Sequence, residues 1–219
     1  MNLFNHWVSN IDYYGGILVN KGLPFNLDNK IWMFGCSHAY GTGLDKGQSA
    51  VDVLSNLIGE KVFNFGRPAS GPMMVEHLLI PLLKKYTPKA VIIAWPSLLR
   101  WQTKEKLVPY PVLWAPFCLE EHDVVDDCLH YGTKSLWPTR WKEYKKMVQS
   151  GEIVNINLEV IERVRSSLKN IKTIEFTFVK DELILTNLWA PEVKDLAKDH
   201  MHFGPETHKD VAYWIKNQL

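Results

Sequence analysis

Residues 30–41 read Lys-Ile-Trp-Met-Phe-Gly-Cys-Ser-His-Ala-Tyr-Gly. A short, continuous apolar run closed by glycine predicts a buried strand over 30–35. Residues 36–43 then read as a loop, with glycines at 41 and 43, and Ser37 falls directly behind the strand. The same grammar recurs downstream. Residues 49–58 carry apolar side chains at 50, 51, 53, 54, 57 and 58, a helical spacing, and Gly59 is a fitting C-cap. Lys-Val-Phe-Asn-Phe at 61–65 predicts a second strand and Gly-Arg-Pro-Ala-Ser-Gly at 66–71 a turn-rich loop. A helix follows over 72–86, with Pro72 in its first turn and Pro81 expected to kink it.

Ala-Val-Ile-Ile-Ala-Trp at 90–95 predicts a third strand. It is apolar throughout rather than alternating, as in a strand covered on both faces. Residues 96–137, rich in Pro, Trp and acidic side chains, read as an insertion. Helices are expected over 139–149 and 153–169, an alternating fourth strand over 173–179, a further short strand over 182–186, and a closing helix over 205–217. Residues 1–29, with Gly15-Gly16 and a Leu23-Pro24 turn, read as an irregular aromatic arm. This rhythm predicts an α/β fold of three α/β/α layers around a mostly parallel sheet. The domain expected is a single one over 1–219, with 1–29 as the arm and 96–140 as a Trp-rich insertion placed as a lid. In such sheets sites lie beyond the carboxyl ends of the strands. That places chemistry on the loops opening at Cys36, Gly66 and Pro96, and on the segment before the last helix.

The chain's composition excludes several classes. Its 219 residues, 46% hydrophobic and 22% charged, are those of a globular chain, not a disordered or collagenous one. A net charge of +1 makes no case for nucleic acid or an anionic membrane as partner. The longest apolar runs, such as 90–95, fall far short of the roughly 18 residues that span a bilayer. The opening Met-Asn-Leu-Phe-Asn-His-Trp-Val has no Lys or Arg ahead of an apolar run, so no signal peptide is read and a cytoplasmic location is expected. A phage protein, or one released without a leader, would read the same. Cys36, Cys118 and Cys128 are odd in number and unpatterned, which fits a reducing compartment. Of nine tryptophans, Trp95, Trp101, Trp114, Trp137 and Trp141 crowd into one stretch.

Ser37, at a strand end, would present its hydroxyl at the carboxyl edge of the sheet. A hydroxyl is a weak nucleophile until a base takes its proton. Nearby backbone N–H groups could stabilise an oxyanion, although serine at a turn or cap is common on its own account. Asp199 and His202 stand in Lys-Asp-His-Met-His-Phe-Gly-Pro, directly before the closing helix. The D-x-x-H spacing lets the carboxylate reach the imidazole, hold its tautomer and stabilise its cation. The ordinary alternative is a polar loop in which Asp199 caps a turn.

Taken together these blocks resemble the SGNH, or GDSL-type, hydrolases. The family's first block, G-D-S with a following glycine, is matched by Gly35-Cys36-Ser37-His38-Ala39-Tyr40-Gly41. Its second, an Asn and Gly-rich loop, is matched by Asn64 to Gly71. Its last, D-x-x-H before a terminal helix, is matched by Asp199-His200-Met201-His202. The resemblance runs over about 30–219 and implies the flavodoxin-like sheet of that family and a serine esterase acting on carboxylic esters through an acyl-enzyme. Ser37 would be nucleophile and oxyanion donor, His202 the general base and Asp199 its orienting partner. Gly71 or Ala69 would give the second backbone donor. No cofactor is implied, and the substrate class would be a small-molecule or carbohydrate ester carrying a small acyl group. A non-catalytic ligand-binding module on the same fold, or an O-acyltransferase, is the alternative.

Two departures stand out. Cys36 replaces the family's Asp, at a position that is neither nucleophile nor base. The family's third block, G-x-N-D, supplies an Asn to the oxyanion hole; here the strand runs into Ala94-Trp95-Pro96-Ser97-Leu98-Leu99-Arg100, with no Asn. Ser97 or Arg100 is the substitute donor to be considered, since losing one such donor typically costs about 100- to 1000-fold in turnover. A metal reading would group Asp199, His200, His202 and His208, or His122, Asp123, Asp126, Asp127, Cys128 and His130. Neither set has a fixed ligand spacing, and no metal is expected.

Overall fold

The computed structural model describes residues 26–68, 70–102, 112–113, 146–178 and 187–219. Residues 1–25 of the arm expected over 1–29, most of the Trp-rich insertion, the expected short strand at 182–186 and Ala69 lie outside them.

The described chain runs β1 (Ile31–Gly35), α1 (Ser37–Tyr40), α2 (Ala50–Ile58), β2 (Val62–Asn64), α3 (Pro72–Leu83), β3 (Ala90–Ala94), β4 (Trp101–Gln102), β5 (Val112–Leu113), α4 (Glu152–Ser167), β6 (Thr173–Phe176) and α5 (Pro205–Gln218). Four strands form one parallel sheet in the order β2-β1-β3-β6, while β4 and β5 make a separate antiparallel pair. Counting sheet strands along the chain, that order is 2-1-3-4, the flavodoxin-like arrangement. Beyond β6, Trp189 makes a parallel bridge to Phe176, and the Thr177 N–H donates to the Trp189 carbonyl at 3.0 Å.

Strand periodicity explains the layers. Successive residues of β1 and β3 point to opposite faces. Trp32, Phe34, Val91 and Ile93 pack with Leu79 of α3 and Val164 of α4, whereas Ile31, Met33, Ala90 and Ile92 pack with Leu54 of α2 and Val211 of α5. Both faces are covered, so these strands need no polar alternation. This is the three-layer α/β/α arrangement expected from the sequence.

Local differences have local causes. The 36–43 loop contains one helical turn, α1, which closes at Gly41 in the left-handed region. The helix expected over 72–86 runs through Pro81 and ends at Leu83. Pro81 cannot donate to the His77 carbonyl, and His77 lies on the exposed face of the helix. β6 is shorter than 173–179, ending at Phe176. Trp95, first of the clustered tryptophans, is a core residue whose indole N–H donates to Glu175 at 2.8 Å.

Candidate active site

β1 delivers Ser37 to the carboxyl edge of the sheet, two residues past its last strand position. Gly35 permits the approach. A Cβ there would lie 2.7 Å from both the Ala39 Cβ and the Ala94 carbonyl, so only glycine lets α1 turn back across the ends of β1 and β3. Ser37 is buried, and among the described residues its Oγ has no hydrogen-bond partner.

The other half of the site is a tight loop before α5. Its ends are tied by an antiparallel bridge between Leu196 and Phe203, and the Ala197 N–H donates to the His202 carbonyl at 2.8 Å. His200, at φ 56°, turns the tip in the left-handed region. The loop spends one carboxylate oxygen on itself: Asp199 Oδ1 accepts from the N–H groups of Met201 and His202, each at 3.0 Å. Asp199 Oδ2 is left to meet His202 Nδ1 at 2.6 Å. An ionised carboxylate only accepts, so Nδ1 carries the proton and Nε2 presents its lone pair. Nε2 is buried and, among the described residues, has no partner. Partial burial pushes the Asp199 carboxyl up, but the His202 and Met201 amides and the His202 ring outweigh it and hold it below the usual carboxylate range.

His38 joins the two halves. Its ring sits 4.9 Å from that of His202, and packs on Phe203 at 4.5 Å and Phe178 at 5.4 Å. The residue after Ser37 therefore touches the imidazole that Asp199 orients. Burial above all, then the neighbouring His202 and Arg100, push the His38 pKa down to about 3, so the ring is neutral. Burial likewise drives His208 of α5 down to about 4. The Ala50 N–H donates to its Nδ1 at 3.1 Å, which ties α5 to the start of α2. Ser37 Oγ and His202 Nε2 are not hydrogen-bonded to one another. Catalytic hydrogen bonds are often long before substrate binds.

The second and third loops meet at Gly71 and Arg100. Gly71 caps the start of α3. A Cβ on it would lie 2.9 Å from the Arg100 carbonyl and 3.0 Å from the Arg100 Cβ. The buried Arg100 guanidinium donates through Nη1 to the Ser70 carbonyl at 2.8 Å. The Ser97 hydroxyl accepts from the Leu99 N–H at 3.2 Å, within its own loop. Asn157 of α4 was not anticipated as part of this assembly. Its Nδ2 donates to the carbonyls of Leu98 at 2.7 Å and Arg100 at 3.0 Å. The signal was present: Asn157 interrupts the buried face made by Ile153, Val160, Ile161 and Val164, and a buried amide needs partners. Among the described residues no three His, Cys, Asp or Glu side chains gather as a metal-binding group, so Asp199, His200, His202 and His208 do not form one. The second set, from His122 to His130, lies outside the described residues.

No family model matches the sequence, and no curated protein matches it. Solved structures do. The chain is similar in structure to proteins of the G-D-S-L family. One, from Desulfitobacterium hafniense DCB-2, is 16% identical over 88% of this chain and 100% of its own, with a TM-score of 0.41. Another, from Veillonella parvula DSM 2008, is 12% identical over 86% and 96% of the two chains, with a TM-score of 0.39. A carbohydrate esterase family 2 enzyme with a carbohydrate binding domain, from Corynascus thermopiles, is 13% identical over 89% of this chain and 67% of its own, at 0.40. No helix among the described residues is long and apolar enough to cross a membrane.

Proposed function

We propose that the chain is a serine esterase hydrolysing carboxylic esters at Ser37. The observation that carries this is the 2.6 Å contact between Asp199 Oδ2 and His202 Nδ1, next to the segment bearing Ser37, with His202 Nε2 and Ser37 Oγ both buried and without a hydrogen-bond partner among the described residues. Burying two such atoms without partners is unfavourable unless they serve something else.

In the mechanism, His202 Nε2 takes the Ser37 hydroxyl proton as Oγ attacks the ester carbonyl carbon. The N–H groups of Ser37 and Gly71 hold the oxyanion; Ala69 is the other candidate for the second donor. The tetrahedral intermediate collapses to an acyl-serine, and the leaving alkoxide takes the proton from Nε2. Water then repeats the cycle: His202 takes its proton, hydroxide adds to the acyl carbon, and the carboxylic acid leaves as Ser37 regains its proton. No metal or organic cofactor enters. A small acyl group on a carbohydrate is the substrate class we favour, from the family resemblance and the tryptophans at 101, 114, 137 and 141.

Treatment with a fluorophosphonate followed by intact-protein mass tests the proposal. Wild type gains a single adduct, Ser37→Ala gains none, and His202→Ala reacts slower by about 10⁴-fold or more. A folded wild type that takes no adduct overturns the proposal in favour of a non-catalytic binding module. Product analysis with added alcohol or sugar acceptors separates hydrolysis from acyl transfer.

A further inference from the structure

We propose that Arg100 is a positioning residue for the oxyanion site, acting through the Ser70–Gly71 peptide rather than on the substrate itself. The inference rests on the serine esterase proposed above and supplies what its donor-poor third block lacks. The Ser70 carbonyl and the Gly71 N–H belong to one planar amide whose two ends are coupled by resonance. Arg100 Nη1 donates to that carbonyl at 2.8 Å from a buried guanidinium. A charge-assisted hydrogen bond at the oxygen end draws electron density from the nitrogen end, so the Gly71 N–H becomes a stronger donor. The same bond fixes the direction in which that N–H points, and preorganised direction is what an oxyanion site requires.

Bonds to the end of β1 and to the third loop hold this peptide. The Ser70 hydroxyl donates to the Gly35 carbonyl at 2.9 Å, and the Arg67 N–H donates to the same carbonyl at 2.9 Å. The loop is thereby tied to the strand end that carries Ser37. Gly71 fits flush against the Arg100 carbonyl and Cβ, and any side chain there would part them. The carbonyls of Leu98 and Arg100 are clamped in turn by Asn157. One polar chain thus runs from α4 through Arg100 and Ser70 to the residue before the Cys36-Ser37 step. Its cation bonds to the carbonyl of the peptide whose N–H is to meet developing negative charge.

The test uses full-length Arg100→Gln and Arg100→Lys, with p-nitrophenyl acetate as the probe ester and a small alkylboronic acid as the tetrahedral analogue. Arg100→Gln is expected to lower kcat by about 10- to 100-fold with KM within about twofold, less than the loss of a whole donor. Boronate affinity should fall in step with kcat/KM, because both report the tetrahedral state. Arg100→Lys, which keeps the charge but not the planar fork, should recover part of the loss. An unchanged kcat overturns the proposal. So does a loss of kcat with boronate affinity unchanged, which would mark general loosening of the loop. If Arg100→Gln does not fold, Arg100→Lys carries the test alone: it must lower kcat and boronate affinity together. A wild type whose turnover survives Ser37→Ala, or that has none while folded, shows instead that the esterase proposal has failed, and the role given to Arg100 fails with it.

Discussion

The absence of one methyl group at Gly43 leaves room for the carboxylate that orients His202. Gly43 sits at φ +79°, and a Cβ there would lie 2.8 Å from both Cγ and Oδ2 of Asp199. Its carbonyl accepts from the Lys198 N–H at 3.2 Å, so the loop after α1 is fastened against the D-x-x-H segment. Gly43→Ala combines two effects: left-handed strain of about 1–2 kcal/mol and a push on Asp199 away from His202. Gly47→Ala separates them, because Gly47 has φ +90° and nothing within 4 Å of its would-be Cβ. Gly43→Ala should lose more stability than Gly47→Ala, because its Cβ also crowds Asp199 and, at 3.0 Å, the Ala197 Cβ. Only Gly43→Ala should also slow fluorophosphonate labelling, by about 100-fold, the scale on which a misplacement of about 1 Å acts. Equal labelling rates in the two variants would show that the Gly43 contact does not set the position of Asp199.

An element-scale device holds the Asp199–His202 loop where α5 begins. Gly204, the N-cap, has no side chain to satisfy the first amides of the helix. Asp195 does it from outside the helix, accepting from the N–H groups of Glu206 and Thr207 at 3.0 Å each and from the Thr207 hydroxyl at 2.9 Å. The Gly204 N–H donates back to the Asp195 carbonyl at 2.9 Å. Asp195→Ala should therefore destabilise by about 1–2 kcal/mol, the usual size of a lost cap, or a fall in Tm of about 2–8 °C for a chain of this length. Asp195→Asn, which keeps an acceptor, should lose less; a thermal melt of the alanine variant that overlays wild type would remove Asp195 from this role. Much of this region could be read from the residues alone. Pro205 marked the helix start, and the D-x-x-H spacing put Asp199 within reach of His202. Asp195 could not be read, because its distance from the helix start matches no local capping pattern; only the folded-back loop brings it there. Arg100 shows the same limit. Sequence placed it near the right loop, but its bond to the Ser70 carbonyl depends on how two loops from different strands converge. The strands around Trp32 and Ile92 were legible because burial on both faces leaves a continuous apolar run, whereas their neighbours in the sheet are fixed by crossovers that no local pattern records.

At the scale of the whole molecule, the layers around the sheet end enclose two neutral histidines, and this sets how the fold responds to acid. His38 faces His202, Arg100, His208 and Asp199, and burial brings its pKa to about 3. His208 faces Asp195 and His202, and burial brings its pKa to about 4. In the unfolded chain both return to an ordinary value of about 6.5. Between pH 6.5 and pH 4 the unfolded chain therefore binds protons that the fold excludes. Stability rises with pH in that window and falls as pH drops through it, by at most about 1.4 kcal/mol per pH unit for each ring. Above about pH 8 the two rings contribute almost no slope. Asp195 and Asp199, both held below the usual carboxylate range by their amide donors, act with the same sign once the pH falls below about 4. A domain has only about 5–15 kcal/mol to lose, and the two rings together remove about 5 kcal/mol of it between about pH 6.5 and 4.5. Urea titrations at half-unit steps from pH 7.5 to 4.5 would measure the slope. His208→Gln, whose side-chain carbonyl can still accept from the Ala50 N–H, should halve it. A slope that stays at the wild-type value in that variant would mean His208 is not excluded from protonation by the fold, and that the acid response lies in groups other than the buried pair.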